Sequence, residues 1–188
     1  MPQEPHRDER KSAVPWLSPG LVQSDEIVLR TLLDPDHLEP DGKLKVAAAI
    51  SLEDIRFRGW SVDRRKFTSL QQVRLFHSGL KKRNTTLRKC YVLPIPVSEI
   101  RQRIPPNKVQ DFVVIDAALW RKPSHATVLL FSPQTPSAAR KFRNDLLKKL
   151  PPYVDVTEAF DSTDKHGFLR GMLRQFAAIL ASPFRYII

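Results

Sequence analysis

The stretch "FRGWSVDRRKF", residues 57–67, decides how the rest of the chain is read. It carries four cations (Arg58, Arg64, Arg65 and Lys66), one acid (Asp63) and three aromatic rings. Taken with a period of two, Trp60 and Val62 fall on one face and Ser61 and Asp63 on the other, the pattern of a half-buried strand. A tryptophan beside a valine on one strand face belongs in a core, so Trp60 is expected to hold the fold and not to stack on a base. Asp63 next to Arg64 reads as a local ion pair, worth ~0–1 kcal/mol at a surface. The aromatics are thus assigned to packing and the cations to the outside.

Outward from this strand, the order of elements is mixed. Downstream, "TSLQQVRLFHSGLKKRN" has helical spacing, with Thr68 or Ser69 as cap, Leu70, Val73, Phe76 and Leu80 on the apolar face, and Gly79 weakening or ending it early. Residues 91–97 are β-like, but Pro94 and Pro96 suit an edge or extended strand and not a central one. "SEIRQRI" is a short helix stopped by Pro105 and Pro106. "DFVVIDAALW" and "HATVLLFSP" are the best strands and read as antiparallel neighbours. "TPSAARKFRNDLLKKLPP" is a helix with Thr135 as cap, Pro136 at its first position and Ala138, Ala139, Phe142, Leu146 and Leu150 inward. A last helix with a wide apolar stripe runs from Phe168 to Leu180.

Upstream, Ser24 caps a short helix or "EIVLRTL" forms a strand. "DPDHLEPDG" is a run of turns, and Leu44–Ile50 a buried strand or extended segment, with one helical turn after Ser51. The four carboxylates Asp34, Asp36, Glu39 and Asp41 lack the glycine and the distal glutamate of a calcium loop, so no metal is expected. The fold expected is α+β, a mainly antiparallel sheet with helices packed on one face. Residues 1–20 form a flexible N-terminal tail and residues 21–188 a single domain, as a chain of 188 residues with 41% apolar content can support.

Charge is placed unevenly. From Arg56 to Lys108 there are fourteen Lys and Arg against Asp63 and Glu99, a balance of +12; the remaining seventeen basic and eighteen acidic residues give −1. Such a run attracts polyanions if the fold gathers it on one surface. The sharpest candidate is "SGLKKRNTTLRKC", where Lys81, Lys82, Arg83, Arg88 and Lys89 surround Asn84, Thr85 and Thr86. Cations with hydroxyl and amide donors in a turn are what phosphate oxygens accept. Arg140, Lys141 and Lys148 add to them if the later helix lies alongside.

Catalytic patterns are thin. His125 with Asp116 and Ser61 or Ser124 could meet across a hairpin, but no glycine-flanked serine elbow exists. No acid-x-Lys nuclease pattern, phosphate-cradling glycine loop or dinucleotide fingerprint is present, so enzyme status stays open and no cofactor is expected. The lone Cys90 cannot form an internal disulfide, and the first residues are polar, so a cytoplasmic location without membrane insertion is expected.

At "GWSVDR" and "PSHATVLLF" the chain resembles a loose group of small bacterial proteins that share a G-x-S-V-x-R stretch and a later H-A strand motif. The residues are Gly59, Ser61, Val62 and Arg64, then His125 and Ala126, within a similarity over residues 27–130. The resemblance implies a bacterial or phage-linked cytoplasmic accessory protein, one related to phage defence among them, and carries over no activity. Ser61, Arg64 and His125 become a candidate polar pocket if they cluster in space.

The leading expectation is a non-catalytic accessory module that binds nucleic acid or another phosphate-rich partner within a larger complex. The alternatives are a protein–protein adaptor docking through the apolar C-terminal helix and the tail "SPFRYII", and a small enzyme built on Ser61, Arg64 and His125.

Overall fold

Alternation along residues 60–64 does build a strand, and it lies near the middle of the protein. A computed structural model describes residues 18–101, 103–104, 109–110, 112–119, 122–130 and 136–157. Strands β1 (Ile27–Leu33), β2 (Trp60–Arg64), β3 (Cys90–Pro96), β6 (Phe112–Asp116), β7 (His125–Leu130) and β8 (Val154–Asp155) form one sheet in the order β6-β7-β2-β1-β3-β8. Every pairing in it is antiparallel. A separate pair joins β4 (Arg103–Ile104) to β5 (Val109–Gln110). The helices are α1 (Val46–Ala49), α2 (Leu70–Arg83), α3 (Val97–Ile100) and α4 (Pro136–Leu147), with a π-helical turn at Asp54–Arg58 and a 3-10 turn at Arg65–Phe67. The protein is therefore α+β with an antiparallel sheet, and β6 and β7 are neighbours as their sequences predict.

Both faces of this sheet carry buried apolar side chains, and that sets where the helices go. On one face, Val28 and Leu32 of β1 join Trp60 and Val62 of β2, Leu93 and Ile95 of β3, and Val114, Ala126 and Val128 of the β6–β7 pair in the main core. Ala49, Ile55, Val97, Ile100, and Phe142 and Leu146 of α4 complete it. Phe142 stacks on Phe112 with ring centroids 3.7 Å apart. The opposite face carries Leu29, Cys90, Val92 and Val113, all buried. Here α2 provides cover through Leu70, Val73 and His77. The helices thus do not all gather on one face, because β1, β3 and β6 have apolar side chains at consecutive positions and leave two surfaces to be removed from water.

Local chemistry explains each element. Ser69 caps α2: its Oγ accepts from the Gln72 N–H at 3.1 Å, and the Ser69 N–H donates to Gln72 Oε1 at 2.7 Å. This reciprocal box starts the helix firmly enough that Gly79 neither ends nor breaks it. Phe76, expected inward, is 50% exposed, because the inward stripe runs through 70, 73 and 77 and residue 76 is turned about 100° from 77. Within 44–50 a helical turn replaces the expected extended segment, since the Lys45 carbonyl accepts from both Ala48 and Ala49 N–H groups at 2.9 Å. Residues 27–33 take the strand alternative. Strand β3 is not at the edge, yet β8 pairs only with Tyr91 and Val92, so Pro94 and Pro96 sit where no outer ladder is described and their missing N–H groups cost nothing there.

Trp60 is fully buried, and its indole Nε1–H donates to the Ala49 carbonyl at 2.9 Å. Arg30 donates to the same carbonyl at 3.2 Å and to the Ser61 carbonyl at 2.9 Å, with its guanidinium 5.8 Å from the Trp60 ring centre. Gly59, just before β2, has φ +90°, and a Cβ there would lie 2.3 Å from Thr127 Cγ2 on β7. A side chain at 59 thus meets both a strained backbone and a neighbouring strand. Gly59→Ala is expected to lower the unfolding free energy by roughly 2 kcal/mol or more, measured by urea denaturation.

Candidate functional site

Arg64 ends β2 on the core side of the sheet, in register with Val28 of β1, and is only 2% exposed. A buried guanidinium needs a counter-charge and acceptors for its fixed fork of donors. Glu26 supplies two oxygens, at 2.6 Å from Nη2 and 3.0 Å from Nε. The Gly20 and Leu21 carbonyls accept from Nη1 and Nη2, and Asp116 Oδ2 lies 3.8 Å from Nη1. Asp116 also accepts from the Ser18 hydroxyl. A second buried arginine, Arg101, donates to the Val22 carbonyl at 2.6 Å and to Ser24 Oγ at 2.9 Å. Together the two arginines hold residues 20–24 against the sheet, with Val22 fully buried among the core residues.

Ser61 and His125 do come together, with Oγ and Nδ1 3.4 Å apart, on the face that bears Asp63. Arg64 does not join them, since neighbouring residues of a strand point to opposite faces. For the same reason Asp63 is not paired with Arg64. Its Oδ2 lies 2.9 Å from Lys122 Nζ, and its Oδ1 accepts from Ser124 Oγ at 3.2 Å. Asp116, in register with Ala126, faces the core side and is committed to Arg64 and Ser18, away from the His125 ring. Burial and Lys122 push the His125 pKa down, favouring a neutral ring. Burial pushes the Cys90 thiol up to about 12, which leaves it unreactive as a nucleophile near neutral pH. Among the described residues, no group of three His, Cys, Asp or Glu could hold a metal ion.

The basic run is sorted by the fold. Arg64 and Arg101 are buried, Arg58 pairs with Glu53 at 2.7 Å, and Lys89 reaches Asp155 at 3.5 Å. Lys81, Lys82 and Arg83 close α2, and Arg88 follows in the loop to β3; all four are exposed with no carboxylate partner among the described residues. Asn84 Oδ1 accepts from the Thr86 N–H at 3.1 Å and the Thr86 hydroxyl at 2.6 Å, so that hydroxyl proton is spent inside the turn. Arg140 and Lys141 are exposed on α4, and Lys148 lies 3.5 Å from Asp145. Helices α2 and α4 cover opposite faces of the sheet, so these cations form two groups and not one stripe. The apolar C-terminal helix and "SPFRYII" lie outside the described residues, as do residues 1–17 of the N-terminal tail. Among the described residues, no helix is long and apolar enough to cross a membrane.

Sequence reasoning missed a cleft on the α2 face, bounded by Phe67, Phe76, Pro123 and the Asp63–Lys122 pair. Its only signal in the sequence was an aromatic residue one step off the inward stripe of α2.

Comparison with protein-family models, curated proteins and solved structures finds no match to the chain. The likeness at Gly59–Arg64 and His125–Ala126 therefore rests on those residues alone, and the functional reading on the geometry above.

Two outcomes are expected from this arrangement. Arg64→Ala leaves Glu26 buried without its counter-ion and should cost about 3–5 kcal/mol in chemical denaturation. Burial also depresses the pKa values of His37 and His77, with Arg30 and Lys81 respectively adding to the effect. His37 Nδ1 accepts from the Leu33 N–H at 2.9 Å, a bond that only the ring unprotonated at Nδ1 can make, and His77 Nε2 is buried without a partner. With folded values below the ordinary ~6.5, the unfolded chain binds protons first as pH falls. Stability is then full above about pH 7 and declines as pH drops through 6.5 toward the depressed values. Unfolding curves at pH 7.5 and 5.5 should show this loss, and His77→Leu should reduce it.

Proposed function

We propose that the protein binds a polyanion, with nucleic acid as the leading class, through the end of α2 and the loop that follows. The single observation that supports this reading is the set Lys81, Lys82, Arg83 and Arg88, exposed within one short stretch and facing no acid among the described residues. Cations at a helix C-terminus also complement its dipole, which accounts for part of their presence there. The dipole contributes nothing to anion binding at this end, so side chains must do the work by reaching phosphate oxygens, with Thr85 and the Asn84 amide as the remaining neutral donors. Contacts of that kind give affinity that falls steeply with salt and little sequence preference. Nothing on α2 marks a helix built to enter a groove. Its inward side is buried on the sheet, and its exposed apolar residues, Leu75 and Phe76, lie nearer its start than the basic end.

Binding is a better supported reading than catalysis at Ser61 and His125. That pair meets at 3.4 Å, while the one cation expected beside it is buried on the other side of the sheet. The cations Arg140, Lys141 and Lys148 on α4 would serve a second contact area and not an extension of the first.

The test is the triple substitution Lys81→Gln, Lys82→Gln and Arg83→Gln, which removes charge without placing acids at the negative end of a helix dipole. Fluorescence anisotropy with labelled duplex and single-stranded oligonucleotides should show binding weakened at least tenfold. The slope of log affinity against log salt should become shallower by about 2–3, one counter-ion per lost contact. Affinity and slope equal to those of the unsubstituted protein would rule this surface out.

A further inference from the structure

The cleft on the α2 face has a chemistry opposite to that of the basic surface. Its volume is about 380 Å³, at the small end of ligand-sized sites. Phe67, Val73, Leu75, Phe76 and Pro123 give it apolar walls. Its polar lining includes the hydroxyls of Thr31, Thr68 and Ser124 and the carboxylate of Asp63, a residue only 4% exposed. Leu75 and Phe76 are 65% and 50% exposed, an apolar rim that core packing does not explain.

The occupant of this cleft is legible from the chain itself. The Lys122 ammonium sits 2.9 Å from Asp63 Oδ2 and 5.1 Å from the centre of the Phe76 ring. A carboxylate and an aromatic face around one ammonium are the two features that recognise alkylammonium ions, by charge and by attraction to the ring quadrupole. Lys122 is one-third exposed and lies ahead of β7, in an isolated β-bridge with Leu119 and not in a strand interior, so its side chain can swing out into solvent. Asp63, held by Ser124 and fixed on a central strand, cannot.

We propose that this cleft binds an alkylammonium ligand, with Asp63 as counter-charge and Phe76 and Phe67 as walls, and that Lys122 occupies the site until such a ligand displaces it. The site is separate from the polyanion surface and selects the opposite charge. Because a bound ligand must first expel Lys122, affinity is reduced by the fraction of time the lysine is seated.

The experiment uses the full chain and n-butylammonium as probe, titrated at constant ionic strength with sodium as the control ion. Lys122→Ala opens the cleft; Lys122→Ser is the second variant. Binding, followed by calorimetry and by shifts of the Phe76 ring resonances, is expected to be saturable and at least tenfold tighter in a Lys122 variant than in the unsubstituted protein. Adding Asp63→Asn should remove it. A folded Lys122 variant with no saturable binding would overturn the proposal, and so would binding that survives Asp63→Asn. Unfolding of both Lys122 variants would overturn it as well, since Lys122 would then be a fixed part of the fold and not a displaceable occupant.

Discussion

The buried guanidinium of Arg64 is the constraint on which the arrangement of the rest depends. It lies at the end of a central strand, almost without solvent, and its donors reach Glu26, two carbonyls at residues 20 and 21, and the neighbourhood of Asp116. A charge in that position is tolerable only if every partner stays in place. The segment leading into β1 is thereby tied to β2, and through Asp116 to β6, at the far end of the sheet. Arg101 repeats the device two residues further along the same segment, on Val22 and Ser24. Directional hydrogen bonds from the two arginines thus hold the entry to β1 in addition to the burial of Val22.

A sheet with two apolar faces follows from the same central strands. Trp60 and Val62 look into the main core, while Leu29 and Val92 look the other way and require α2 above them. Covering both faces divides the exposed cations between α2 and α4, on opposite sides. It also creates the cleft, because α2 covers its face only in part and leaves Asp63 at the bottom of an aromatic-walled space. The fold therefore presents two surfaces of different chemistry: a basic helix end, and a carboxylate screened by a lysine.

Much of the fold was legible in short patterns. The alternation at 60–64 placed Trp60 and Val62 inward, the apolar run at 112–116 and the one at 125–130 gave adjacent antiparallel strands, and Thr68 or Ser69 marked the start of α2, where Ser69 is the cap. Each of these depends on neighbours a few residues away. The misreadings had the opposite character. Alanine-rich residues 46–49 read as extended until the Lys45 carbonyl was seen to close a turn. Phe76 read as core because helical spacing admits it, and only the position of the sheet shows which stripe faces inward. The two prolines of β3 suggested an edge, and the reach of β8 explains why an interior strand accepts them.

For the candidate sites, the sequence by itself determined the raw material: a basic segment with few acids, a Ser61 and a His125 on separate strands, and an alternating strand with Asp63 and Arg64 side by side. Tertiary structure decided what each became. Alternation sent Asp63 and Arg64 to opposite faces, so their partners had to come from residues distant along the chain, Lys122 and Ser124 for one and Glu26 for the other. Which cations remain open to an anion was decided in the same way, because ion pairs such as Lys89 with Asp155 join residues that no local pattern relates. Spacing along a chain sets the direction of a side chain; only the folded chain sets what it meets there.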